Sequence, residues 1–142
     1  MKYSVSEDDL AFKRQVESCQ FPVAEFDHRA HLRLAYIYLA GNSVGVAVQL
    51  MRRTLTGLLT HVGIDPAQKY HQTLTEAWIL AVYHFMKRSN GSDSADGFID
   101  KNTVLLDSKI MLTHYSEELL FSEQARVAFV EPDLDQIPRY AA

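Results

Sequence analysis

The sequence predicts an all-α protein, a single-domain helical bundle of about four longer helices with a tail of short helices packed across it. Three observations carry this. Apolar residues recur at helical spacing, as in Val44, Val48, Met51, Leu55, Leu58 and Leu59. Residues that cap helix starts stand just before most of these runs. No stretch shows a convincing strand alternation, and no segment repeats.

The elements follow in order. Residues 4–19 read as a first helix, capped by Ser4 or Ser6, with Glu7, Asp8 and Asp9 against its positive N-terminal end. Pro22 breaks the chain, and Asp27 caps a second helix over about 28–40. Gly41 and Asn42 stop it, and Ser43 caps a third over about 44–61. Asp65 followed by Pro66 is a cap and first-turn proline, which starts a fourth helix running to about Lys87. The polar segment "KRSNGSDSADG" ends it and reads as the most flexible loop of the chain. Beyond it, "GFIDKNTVLLD", "SKIMLTHY" and "EQARVAFV", the last capped by Ser122, read as short helices. "EPDLDQIPRYAA" carries two prolines and reads as extended over the surface.

A chain of 142 residues, 47% of them hydrophobic, fits one domain that can bury a core without covalent staples. A formal net charge of −4 argues against a nucleic-acid binder. Arg29, Arg33, Arg52 and Arg53 are local basic spots on solvated faces. The lone cysteine, Cys19, allows no internal disulfide and reads as a small, partly buried residue. There is no apolar leader, and no stretch reaches the roughly 18 apolar residues of a membrane span. A cytoplasmic protein with no membrane partner is expected.

The chemistry-bearing feature is the placing of histidines at two helix heads. His28 and His31 open the apolar run "DHRAHLRLAYIYL". At about 100° per residue they are neighbours on one face, with Arg29 and Arg33 on the other. His71, in "KYHQTLTEAW", faces the same way as Trp78 and Val82 on the fourth helix. A buried imidazole without partners costs a few kcal/mol, so three inward histidines need a reason. One is a divalent metal (zinc, iron or manganese) held by His28, His31 and His71, with a position open for water or substrate. Glu25, Asp27 or Glu76 would then be a fourth ligand, a hydrogen-bond partner of a ligand, or a general base. Another is metal-free acid–base chemistry at His71 or His28. A third is three unrelated histidines, each satisfied locally. Tyr70, Thr73 and Thr75 surround His71, and Tyr70 and Thr75 are candidates to orient a substrate. His84 is turned away from His71 by helical phase, and His61 sits at a helix C-terminus, so both fall outside the site.

The segments "FDHRAHLRLAYIYL", "KYHQTLTEAW" and "HYSEELLFSEQARVAFVEPDLDQIP" together resemble a largely uncharacterised group of small helical bacterial proteins. The resemblance runs from Phe26 onward, the Gly/Ser/Asp loop excepted. It implies that both histidine segments and the tail belong to one unit, and it carries no activity.

The sequence therefore points first to a small-molecule enzyme, a metal-dependent hydrolase or lyase whose metal activates water or polarises a carbonyl. The alternatives are a metal-free histidine isomerase or cyclase, and a non-enzymatic helical module that binds a ligand or a partner protein. A homodimer is compatible with each.

Overall fold

Helix caps set the architecture, and the computed structural model describes residues 3–137. Ser6 Oγ accepts from the Asp9 amide and the Asp9 carboxylate accepts from the Ser6 amide, both at 3.0 Å. This reciprocal pair starts α1 (Glu7–Glu17), later than Ser4 would have started it. Asp27 caps α2 (His28–Gly41) through the Ala30 amide, and Ser43 caps α3 (Val44–His61) through Val46. Gly63, at φ 82°, supplies the left-handed turn that ends α3.

The expected single helix over 66–87 is two. Asp65 and Pro66 do start a helix, but α4 (Pro66–Lys69) lasts one turn. Tyr70 and His71 are extended, with ψ of 138° and 104°, and α5 (Gln72–Arg88) begins after them. The break is stabilised by His71 itself. Its Nδ1 accepts from the Leu74 amide at 3.0 Å, so the imidazole takes the part usually played by Ser or Asp. His71 therefore precedes a helix instead of riding on one, and a helical phase does not apply to it.

α2 is the central element. Its residues Leu34 to Ala40 are all buried, and α3 and α5 pack against it and against each other. α1 lies across α2 and α3. Asp9, 1% exposed, joins three elements there. It accepts from the Ala95 amide and from Arg33 Nε, at 2.9 and 3.0 Å, besides capping α1. Burial pushes this carboxyl up, but the amides of Ala95 and Ser6 and the Arg33 guanidinium outweigh it and hold it below the usual carboxylate range.

The loop after α5 is pinned. Ser92 is buried, and its carbonyl accepts from the Ser4 amide at 2.9 Å and from the Tyr36 hydroxyl. Ser94 then caps α6 (Ala95–Lys101), which packs on α2. Two 3-10 turns lead to α7 (Glu117–Leu120) and to α8 (Glu123–Val127), capped by Ser122 as the sequence suggests. α8 lies against α5. Residues 131–137 carry no helix, as expected, but Pro132 and Ile137 are buried. The rest of the expected extended tail, from Pro138, lies outside the described residues. Eight α-helices and no named strand occur among the described residues, so the fold is all-α. No helix among them is long and apolar enough to cross a membrane.

Candidate functional site

The three histidines meet three different fates. His28 is the first residue of α2. Its Nε2 stands 2.8 Å from the Leu105 carbonyl, and its ring meets the edge of Trp78 with centroids 4.6 Å apart. A carbonyl only accepts, so Nε2 carries the proton. His28 thus ties the chain after α6 to the central helix.

His71 spends both ring nitrogens. Nδ1 accepts from Leu74, which fixes the proton on Nε2, and Nε2 donates to the Leu120 carbonyl at 2.7 Å. The same stretch holds the tail at two further points. Thr73 Oγ1 donates to the Ala128 carbonyl and accepts from the Val130 amide. Arg126 reaches back to the Ala67 carbonyl of α4.

His31, one turn into α2, has no such partner. Its ring stands edge-on to Phe26. The side chain as a whole keeps some exposure, but Nε2 has no solvent contact and no hydrogen bond. Desolvation, with a smaller repulsion from His28, lowers its pKa to about 4, so the ring is neutral at pH 7.

His31 and His71 share the wall of one cavity of about 420 Å³, bounded by α2, α3, α4 and the start of α5. Phe26, Leu55, Leu58, Leu59 and Leu74 make it apolar. Tyr70 and Thr75, both expected near a site, also line it, but their hydroxyl protons are already used. Tyr70 donates to Gln72 Oε1 at 2.8 Å, and Thr75 donates to the His71 carbonyl at 2.8 Å. Burial pushes the Tyr70 phenol up. Among the described residues Lys69 is the one charged residue in the lining.

The expected carboxylates are elsewhere. Glu25 is exposed in the 3-10 turn before α2, and Asp27 is occupied as its cap. Glu76 is half-buried and has a long contact of 3.5 Å from Gln72 Nε2. His28 does not line the cavity either; its ring is engaged by Trp78 and Leu105. Among the described residues no group of three or more His, Cys, Asp or Glu side chains is arranged to hold a metal ion. The donor chemistry gives the reason: ligation needs a bare nitrogen, whereas His71 offers one that is capping a helix and one that is protonated toward a carbonyl.

A larger cavity, about 720 Å³, lies between α1, α2 and α3. Its polar groups are paired. Tyr38 donates to Glu17 at 2.7 Å and stands 2.6 Å from Thr54 Oγ1, and Asn42 donates to the Tyr38 carbonyl. It has no counterpart to the sealed nitrogen of His31.

Sequence reasoning missed Lys69 and Phe26. Leu55, Leu58 and Leu59 were legible as a core stripe on α3, but their period does not reveal that the stripe faces a gap. Compared with protein-family models, curated proteins and solved structures, the chain matches none of them. Its reading rests on this geometry.

Proposed function

We propose that this protein binds a largely apolar small molecule in the His31–His71 cavity. The observation that supports it is the lining of this cavity of about 420 Å³, mostly apolar side chains with His31 and Lys69 among its few polar groups. Ligand sites combine such walls with a few placed polar groups, and this volume falls within their usual range of about 300–1,000 Å³.

Binding fits better than acid–base catalysis. Acid–base chemistry at His71 or His28 would need ring nitrogens that the fold already uses, both on His71 and Nε2 on His28, and a pKa of about 4 makes His31 a weak base at neutral pH. The metal-dependent hydrolase or lyase reading asks His71 to give up either its helix cap or its bond to Leu120.

Calorimetric titration with 1-octanol tests the proposal, with elemental analysis of untagged protein alongside. One equivalent should bind to the wild type. Leu55→Trp, which fills the cavity from α3, should bind none. Near-stoichiometric zinc, iron or manganese, together with no octanol binding, would return the function to the metal reading.

A further inference from the structure

The cavity also specifies the kind of molecule it takes. This inference rests on the binding proposal above. The polar groups of the wall are unequal in what they have left to offer. Tyr70 and Thr75 direct their hydroxyl protons at protein acceptors, and His71 has both nitrogens engaged. Two groups remain.

The first is Lys69, exposed at the end of α4 and lining the cavity. It forms no ion pair among the described residues, whose salt bridges all involve other side chains. The second is His31. Of its ring nitrogens only Nε2 is both sealed and unpartnered. That nitrogen has no solvent contact, so a ligand in the cavity does not reach it, and Lys69 is left as the donor at the mouth. No Asp or Glu lines the cavity. A cationic ligand would find no counter-charge there, and a neutral one would leave Lys69 unused.

The rim continues the apolar wall. Val23 and Val62 are each 42% exposed and both line the cavity. An apolar body is therefore matched from the floor to the mouth, with one cation at its edge.

From this we infer that the ligand is an amphipathic monocarboxylate, its aliphatic or aromatic body among Phe26, Leu55, Leu59 and Leu74 and its carboxylate toward Lys69. The charge pattern of the wall selects the head group, and the apolar lining selects the body.

The test is a matched series of probes with the same eight-carbon body, octanoate, 1-octanol and octylamine, titrated into the full chain at pH 7.5. Octanoate should bind roughly fivefold tighter than octanol, the upper end of what an exposed ion pair contributes, and octylamine weakest. Molar salt should erase the preference for octanoate. Lys69→Met should abolish the preference for octanoate over octanol, with the melting temperature as in the wild type. Lys69 is exposed, so folding is not at stake. If octanol binds as tightly as octanoate, or if Lys69→Met keeps the preference, the carboxylate inference is overturned and the cavity reading stands. If none of the three probes binds, both fail together.

Discussion

His71 and His31 line one cavity, yet His71 has a partner on each nitrogen and Nε2 of His31 has none. The difference lies in what each ring joins. His71 stands between two helices and is needed by both the α5 amides and the tail carbonyl, so its polarity is consumed in holding the fold. His31 stands inside α2, where the backbone is already satisfied and its ring faces a gap. A polar side chain consumed by architecture has little left for chemistry.

The contrast can be broken most severely at His71. His71→Ala removes the α5 cap, about 1 kcal/mol, and strands the Leu120 carbonyl, a further 1–3 kcal/mol. A loss of about 3 kcal/mol is expected in urea unfolding. His71→Asn should restore the cap alone and recover about 1 kcal/mol. If His71→Ala unfolds at the same urea concentration as the wild type, His71 is not holding the tail.

His31 gives the next effect, through pH. Folded, it titrates at about 4, and unfolded near about 6.5. As pH falls, the unfolded chain takes up the proton first, which favours unfolding. Stability should be full above pH 6.5, decline by roughly 3 kcal/mol between 6.5 and 4, and level off below. His31→Leu should lack this decline and, at pH 7.5, be equal to the wild type or about 1 kcal/mol more stable. Parallel pH–stability curves for the two proteins would show that His31 is not sealed.

The smallest effect is expected at His61, exposed in the last turn of α3 and touching neither region. His61→Gln should change stability by less than about 0.5 kcal/mol and leave octanol binding intact. A larger change in either measurement would extend the site beyond the cavity.

Much of the fold was legible because helix caps are local. Ser6, Asp27, Ser43, Asp65 and Ser122 each act within three residues of their partners, and each does what its position suggests. The break at Tyr70–His71 was not legible, because a run of helix-compatible residues continues through it and His is not among the preferred caps. The site was half legible. Two of the three inward histidines, His31 and His71, do share a cavity, but the roles of His28 and His71 are decided by carbonyls far along the chain, Leu105 and Leu120. No pattern around either histidine points to those carbonyls. Lys69 was hidden for a related reason, since it borders the cavity only because α4 stops after one turn.

The contact of Tyr3 and Ser4 with the loop after α5 has a kinetic side. Tyr3 donates to the Ser89 carbonyl, 86 positions away, and the Ser4 amide reaches Ser92 nearby. Closing a flexible loop twice as long costs only about 0.6 kcal/mol more, less than one hydrogen bond typically returns. Remoteness in sequence is thus a small thermodynamic burden on this pin. Its burden falls on timing, because a contact that spans so much chain forms after the helix pairs beneath it. The helices α2, α3 and α5, joined by short connections, can assemble first and present the surface on which the first residues then fasten.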